Sequence, residues 1–190
     1  MVLDIGAHIG THTLSMSRWV GPGGIVHSYE PQMKLYQEHL VNMDLNKIKN
    51  VRAHFVALGD RSMRVSMGRA KNDNEGGTAL GKGGNRVELR TLDSYRFQNV
   101  SFMKIDVEGA EYYVLLGAKQ TITRNRPSIL VEIWRNSTKE EATYQKVVAL
   151  LTSLGYKTPI PLTREGLHTK QKPKRSFYNY VFLPNKAPKK

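Results

Sequence analysis

A glycine-containing turn near the start of the chain has the composition of a nucleoside-binding loop. It runs from Asp4 to Gly10 and joins a buried apolar run to a helical pattern. Its glycines, Gly6 and Gly10, let the backbone approach a ligand closely. Glu30 follows twenty residues after Gly10 and ends the next apolar run, where a carboxylate can accept hydrogen bonds from both hydroxyls of a ribose. Turn and acid together predict a nucleoside site.

The turn differs from the dinucleotide-binding pattern, in which three glycines hold a pyrophosphate. The third glycine is absent, and Asp4 places a carboxylate where it would repel phosphate. That carboxylate suits the cationic, phosphate-free end of S-adenosylmethionine, whose amino group it could hold directly or through water. Asp60, after the third predicted strand, could reach the adenine edge, or it could simply form a turn.

Two more acids, Asp106 and Glu132, end later apolar runs. Ligands of open α/β sheets bind outside the carboxyl ends of the strands, so both acids are expected to face the same cleft as the glycine turn. Together they could hold magnesium or manganese against acceptor hydroxyls. Without a metal, Asp106 would act alone as base or hydrogen-bond acceptor, and Glu132 would pair with Lys104 or Arg135.

Three charged side chains flank Asp106. Lys104 precedes it by two residues and is expected on the same strand face, either in a buried ion pair or in contact with substrate. Glu108 and Glu111 lie at the start of the next predicted helix. Each could act in catalysis, or it could simply compensate the positive end of the helix dipole. That alternative suits Glu108 less well, because it lies in the turn itself. The catalytic candidates are therefore Asp106, Glu108, Glu132 and Lys104.

The pattern of apolar residues predicts the elements that position these side chains. Strands are expected at Val2–Ile5, Ile25–Glu30, Val51–Ala57, Ser101–Asp106 and Ser128–Ile133, and helices at about Thr11–Val20, Met33–Asn46, Ala110–Thr123 and Lys139–Leu154, the last after a Ser137-Thr138 cap and before Gly155. Two final runs, Tyr156–Leu162 and Phe177–Leu183, predict a closing antiparallel pair. The expected fold is α/β and Rossmann-like, with a seven-stranded, mostly parallel sheet and helices on both faces.

Two segments depart from this alternation. Glycines crowd the stretch from Arg61 to Arg90, which predicts an irregular insertion with strand pieces near Arg64–Met67 and Val87–Arg90. The basic segment Arg164–Arg175 connects the last two strands and is expected on the substrate side of the sheet. At 190 residues, with a basic tail over 185–190, the chain predicts one domain over 1–190.

The composition limits the classes of function. A net charge of +13 favours anionic partners such as nucleic acid or phosphorylated small molecules. The chain has no cysteine, which excludes disulfides, thiol catalysis and cysteine-bound zinc, and no apolar run is long enough to cross a membrane. With no secretory leader, a cytoplasmic location is expected. Since the first residues already form a strand, an N-terminal extension is expected to be missing.

The chain resembles the FkbM-type methyltransferases. The resemblance rests on Leu3-Asp4-Ile5-Gly6-Ala7-His8-Ile9-Gly10, Tyr29-Glu30-Pro31, Asn50-Val51, Ala57-Leu58, Thr91-Leu92-Asp93 and, most specifically, Lys104-Ile105-Asp106-Val107-Glu108-Gly109-Ala110-Glu111. It implies the class I methyltransferase fold, S-adenosylmethionine as methyl donor and, usually, O-methylation, with sugars and other hydroxylated metabolites as common acceptors. His8 stands where the family often has asparagine, so a hydrogen-bonding role toward the cofactor stays open.

The leading hypothesis is O-methylation of a sugar hydroxyl, in a glycan or a nucleotide-linked sugar that could be anionic. The alternative is an RNA methyltransferase, or a non-catalytic nucleic-acid-binding protein that uses the basic surface. No RNA-recognition module is evident, and the Lys-Asp-Lys-Glu tetrad of ribose methylation lacks its first lysine. Intact Asp4, Gly6, Gly10, Glu30 and Asp106 argue against a non-catalytic protein.

Overall fold

The computed structural model describes residues 1–68, 83–134, 137–163, 166–167 and 177–185. The strands are β1 (Val2–Ile5), β2 (Val26–Tyr29), β3 (Val51–His54), β4 (Ala57–Leu58), β5 (Met63–Gly68), β6 (Gly83–Arg90), β7 (Phe102–Ile105), β8 (Ser128–Trp134), β9 (Ile160–Thr163), β10 (Gly166–Leu167) and β11 (Phe177–Phe182). The helices are α1 (Thr11–Trp19), α2 (Met33–Leu45), α3 (Glu111–Leu116), α4 (Lys119–Asn125) and α5 (Thr138–Ser153), with a 3-10 helix at Leu92–Tyr95. Among the described residues, no helix is long and apolar enough to cross a membrane.

The main sheet has the strand order β10-β9-β11-β8-β7-β1-β2-β3. Strands β3, β2, β1, β7 and β8 pair in parallel. Strand β11 runs antiparallel to both β8 and β9. The seven-stranded, mostly parallel sheet with a C-terminal antiparallel pair is therefore confirmed, and β10 adds a two-residue eighth strand. Because the five parallel strands point the same way, their carboxyl ends meet at one edge, where ligands bind in such sheets.

Helices cover both faces of this sheet, and β1 contributes side chains to both, because successive side chains of a strand point to opposite faces. Leu3 and Ile5 join the larger core, which includes apolar residues of α3, α4 and α5. Val2 points the other way and packs against Met16 of α1 in a separate cluster. The near-continuous burial of β1 is what a central parallel strand requires.

The predicted helix Ala110–Thr123 is wrong as a single helix, because the chain leaves the helical path at Gly117. The Gly117 carbonyl accepts a hydrogen bond from the Asp93 N–H at 2.9 Å. The Asp93 carboxylate in turn accepts from the N–H groups of Gln120 and Thr121, at 3.0 and 2.7 Å, at the start of α4. A distant aspartate thus caps a second helix.

The predicted strand Val51–Ala57 ends instead at His54, and Ala57–Leu58 belongs to a second sheet of order β4-β6-β5. Strands β5 and β6 pair antiparallel, with a register shift between Ser66 and Gly68, and they contain the strand pieces predicted near Arg64–Met67 and Val87–Arg90. Alternating apolar residues of these strands bury one face of the small sheet. That face holds Ala57, Met67, Val87 and Leu89.

Three further predictions concern the cap of α5, the basic segment and the C-terminal tail. The Ser137 hydroxyl accepts a hydrogen bond from the Glu140 N–H at 3.3 Å, which confirms the cap of α5. Of the basic segment Arg164–Arg175, only 166–167 is described, so its expected position on the substrate side lies outside the described residues. The same holds for the tail over 186–190.

Candidate active site

A cavity of about 370 Å³ opens at the carboxyl edge of the main sheet. Its size lies in the range of small-molecule sites. It is lined by residues at or just after the carboxyl ends of β1, β2, β3 and β7, by the start of α1, by both residues of β4 and by one residue of β5. These are Ile5, Gly6, Ala7, His8, Thr11, His12, Tyr29, Glu30, Pro31, Gln32, Val56, Ala57, Leu58, Met67, Lys104, Asp106, Val107, Glu108 and Ala110. The cavity therefore spans four neighbouring strand ends.

The glycine turn is fixed by contacts with the protein on both sides. Gly6 has φ 80°, and a Cβ there would lie 1.7 Å from the Asp106 carbonyl oxygen. Gly10 has φ 90°, and a Cβ there would lie 2.6 Å from His39 Nδ1 on α2. The Asn42 side-chain amide of α2 donates to the Ile9 carbonyl at 2.8 Å. Each glycine is thus required by a close approach and by its left-handed backbone.

Glu30 lies at the end of β2 with 5% of its surface exposed. Its Oε2 accepts from the His8 N–H and its Oε1 from the Gln32 N–H, both at 2.9 Å. Burial raises the pKa of this carboxyl, while the two N–H donors act in the opposite direction. A carboxylate oxygen can accept more than one hydrogen bond, so Glu30 keeps acceptor capacity toward the cavity.

Lys104 forms a buried charge cluster with the acids of two strands. It is in register with Asp4 on the neighbouring β1, and its Nζ lies 3.7 Å from Asp4 Oδ1. The same ammonium donates to Asp106 Oδ2 at 3.0 Å. The Thr13 hydroxyl donates to Asp4 Oδ2 at 2.5 Å. Asp4 is fully buried and lies beneath the cavity wall, whereas Lys104 and Asp106 form part of that wall.

The turn after β7 places Glu108 on the cavity wall. Glu108 has φ 52° and Gly109 φ 97°, so two successive residues adopt left-handed backbone. Burial raises the pKa of Glu108, and the charge of Asp106 raises it further. Glu111 is buried and accepts from the Gly109 N–H at 2.8 Å, which gives it a structural role in holding this turn.

Glu132 lies on β8, outside the cavity wall, and accepts from the Asn179 side-chain amide at 3.4 Å. Burial raises the pKa of Glu132, and Asp106 adds to the shift. The donor set does not fit a divalent cation, because the Lys104 ammonium already contacts Asp106 and no third acid, histidine or cysteine completes a metal-binding group within the described ranges.

The sequence matches a family model for the methyltransferase FkbM domain over residues 4–158. This match covers most of the chain. The chain belongs to the FkbM methyltransferase family. It therefore belongs to a family of S-adenosylmethionine-dependent methyltransferases, and the predicted family is confirmed. Comparison with curated proteins gave no match.

Solved structures share the fold of this FkbM domain. The methyltransferase FkbM of Methylobacillus flagellatus aligns with a TM-score of 0.65 at 17% identity, over 96% of this chain and 42% of that one. An rRNA methylase of Streptococcus thermophilus gives 0.56 at 11% identity, over 96% and 85%. Fibrillarin of Aeropyrum pernix, which has bound S-adenosylmethionine, gives 0.55 at 14% identity, over 96% and 65%. This chain thus spans less than half of the Methylobacillus protein.

The cavity of the FkbM domain brings together most of the residues selected from the sequence. Gly6, His8, Glu30, Lys104, Asp106 and Glu108 all lie on its wall. Asp60 does not lie there, and its carboxylate accepts from the Arg61 guanidinium at 3.1 and 3.0 Å. His12, in the first turn of α1, also lines the cavity.

Sequence reasoning missed the apolar part of the wall in this FkbM domain. Val56, Ala57, Leu58 and Met67 contribute to it, and all four are buried. The first three come just after the carboxyl end of β3, which is the edge of the sheet where ligands bind. Met67 belongs to the predicted strand piece Arg64–Met67, but nothing in the sequence placed that strand beside the end of β3.

Proposed function

We propose that this domain transfers a methyl group from S-adenosylmethionine to a hydroxyl of a sugar, in a glycan or a nucleotide-linked sugar. The observation that carries the proposal is a cavity lined both by Glu30, which follows β2, and by Asp106 and Glu108, which follow β7. The family resemblance supports a hydroxylated acceptor. Carboxylates that accept hydrogen bonds suit an acceptor rich in hydroxyl donors.

The cavity residues fit the donor. Glu30 would accept from the ribose hydroxyls, and the turn at Gly6, which lines the cavity, would lie against the cofactor. His8 has an exposed side chain on the same wall and would contact the amino-acid part of the cofactor. When bound, the cofactor supplies a sulfonium-activated methyl group. Asp4 would act on the site from below, through Lys104.

Asp106 is the proposed proton acceptor. Its carboxylate would accept the hydrogen bond of the acceptor hydroxyl and take the proton as the new C–O bond forms and the C–S bond breaks. Lys104 holds one oxygen of Asp106 and fixes the direction of the carboxylate. Most of the expected rate enhancement comes from holding the acceptor oxygen in line, within about 3–3.5 Å of the methyl carbon. Glu108, on the adjoining turn, would position a second hydroxyl.

The local charge favours a sugar over RNA. Although the whole chain carries +13, the site gathers Asp4, Glu30, Asp106 and Glu108, with Lys104 as the cation among them. A polyanion would be repelled by carboxylates at the point of reaction. The RNA alternative keeps one supporting observation, the net positive charge of the chain.

The test is a screen of tritiated methyl transfer against free sugars, nucleotide-linked sugars, oligosaccharides and RNA. We expect transfer to a sugar-containing acceptor that Asp106→Asn reduces by a factor of roughly 10² to 10⁴ while leaving affinity for S-adenosylhomocysteine within about twofold. Asp44→Asn, at an exposed site on α2, is the matched control and should keep full activity. Transfer to RNA alone would favour the alternative. Full activity in Asp106→Asn would remove Asp106 as the proton acceptor.

A further inference from the structure

The second, smaller sheet contributes three residues to the cofactor cavity, Ala57 and Leu58 of β4 and Met67 of β5. We infer that Met67 of β5 is a cofactor-binding residue that packs against the adenine of S-adenosylmethionine. The inference rests on the proposed function, since it assumes that this cofactor occupies the cavity. It assigns a binding role to strands β4, β6 and β5, which lie outside the main sheet.

Met67 is buried beside the cavity. It is only 6% exposed and belongs to a small core with Ala57, Val87 and Leu89. Ala57 is paired with Leu89 across β4 and β6, so the core joins all three strands of the small sheet. Met67 lines the cavity from this core. Its side chain is therefore packed by the small sheet and directed to the ligand space.

The strand pairing changes at this residue. Between β5 and β6 the register is regular from Met63 to Ser66 and then shifts before Gly68, so that Met67 lies at the shift. Irregularities of this kind are common beside binding sites. Met67 keeps the face of the small sheet that Val65 and Val87 share, and it lies where the regular pairing ends, beside the cavity.

The order of the strands identifies the adenine end. Glu30, the proposed ribose acceptor, ends β2, and Asp106, at the proposed reacting end, follows β7 on the far side of β1. The base must then extend in the other direction, past β3. On that side the wall is made by Val56, Leu58 and Met67. An apolar wall suits the faces of a purine, and a thioether makes favourable contacts with aromatic rings.

Binding measurements on matched methionine variants test the inference. Met67→Ala should weaken binding of S-adenosylhomocysteine by roughly threefold to tenfold in calorimetric titration. 5′-Methylthioadenosine, which has the adenine but lacks the amino-acid part, should lose the same factor. Met63→Ala is the control, because Met63 lies on the same strand but is 51% exposed. Neither Met63→Ala nor Asp60→Ala should change either affinity, and Met67→Leu should stay within about twofold of wild type.

A second measurement needs no variant, in case Met67→Ala does not fold. Saturation of the wild-type protein with S-adenosylhomocysteine should slow hydrogen exchange in β5 and β6, with no change in β9 at the far end of the main sheet. Unchanged exchange in β5, or equal losses in Met67→Ala and Met63→Ala, would overturn the inference. If wild type binds both ligands and Met67→Ala binds them equally well, Met67 has no such role and the proposed function stands. If wild type binds neither ligand, both proposals fail.

Discussion

The Lys104 ammonium lies 3.0 Å from Asp106 Oδ2, and the same ammonium is 3.7 Å from a carboxylate oxygen of the buried Asp4. One cation thus links the acid beneath the cavity to the acid on its wall. Removal of one partner from a buried ion pair leaves an uncompensated charge, which costs more than the pair itself contributes. This relationship makes the three residues a unit whose members cannot be changed independently.

Lys104→Met should therefore reduce the free energy of unfolding by roughly 3–5 kcal/mol. The double variant Asp4→Asn with Lys104→Met should recover part of this loss, because it removes the buried carboxylate that the single variant leaves unpaired. Denaturant unfolding measures both effects. Lys119→Met, at an exposed position on α4, is the control and should change stability by no more than about 0.5 kcal/mol. Strictly additive losses at Asp4 and Lys104 would contradict the coupling.

Glu30→Ala should lower the affinity for S-adenosylhomocysteine by roughly 1–3 kcal/mol, because the proposed ribose hydroxyls would lose their acceptor. The N–H groups of His8 and Gln32 would lose theirs as well, so calorimetric titration should be accompanied by a thermal unfolding curve. Glu38→Ala, on the exposed face of α2, is the control. Unchanged affinity in a folded Glu30→Ala protein would remove Glu30 from the cofactor site.

The sequence predicted the main sheet well because its strands are short, buried and apolar. Strand β1 has the predicted bounds, and β2, β7 and β8 differ by one residue at one or both ends. Since parallel strands bring their carboxyl ends together, strand order in the sequence was enough to place Glu30 and Asp106 at one edge. Contacts between charged side chains of neighbouring strands could not be predicted in the same way. The sequence put Lys104 near Asp106, but its approach to Asp4 depends on the register of β1 against β7.

One further feature depended on contacts between distant residues. The break between α3 and α4 follows from the Asp93 N–H and carboxylate, which bind backbone groups that helical periodicity alone would have paired within one helix. Tertiary contacts thus overrode local helix propensity between α3 and α4. Asp60 differs, because the group that binds its carboxylate is the adjacent Arg61.

Methyl transfer should persist in excess EDTA after exhaustive dialysis. The reason is that the Lys104 ammonium already occupies the charge-compensating position at Asp106, and Glu132 is directed to Asn179. The measurement is the rate of methyl transfer with EDTA, with added magnesium and with added manganese. Loss of activity in EDTA and its return with either ion would instead establish the metal site that the positions of Asp106 and Glu132 suggested from the sequence.

His27 should make the fold less stable in mild acid. Burial, with the nearby charges of His54, Arg52 and the amino terminus, lowers the pKa of His27 from 6.5 to about 4. Between these values the unfolded chain binds the proton and the folded chain does not, so stability falls as the pH falls from 6.5 towards 4. Because the half-buried ring is partly screened, the expected loss is on the order of 1 kcal/mol.

The comparison with His27→Gln isolates this effect. Buried carboxyls with raised pKa, such as Glu30 and Glu111, take up protons in the folded state and act in the opposite direction over the same range. The quantity to measure is therefore the difference in unfolding free energy between wild type and His27→Gln at several pH values. Wild type should lose stability relative to the variant on acidification. A difference that does not change with pH would show that His27 titrates normally.

A pair of glycine variants separates backbone strain from close packing at the cofactor turn. Gly21 and Gly6 both have left-handed backbone, with φ 73° and 80°, but a Cβ at Gly21 would meet nothing within 4 Å, whereas one at Gly6 would lie 1.7 Å from the Asp106 carbonyl. Gly21→Ala should cost about 1–2 kcal/mol of stability through its φ alone. Gly6→Ala should cost a further ~1–3 kcal/mol, since the backbone after β7 must move. It should also weaken S-adenosylhomocysteine binding, which Gly21→Ala should not. Equal stability and equal affinity in the two variants would mean that the turn yields without disturbing Asp106.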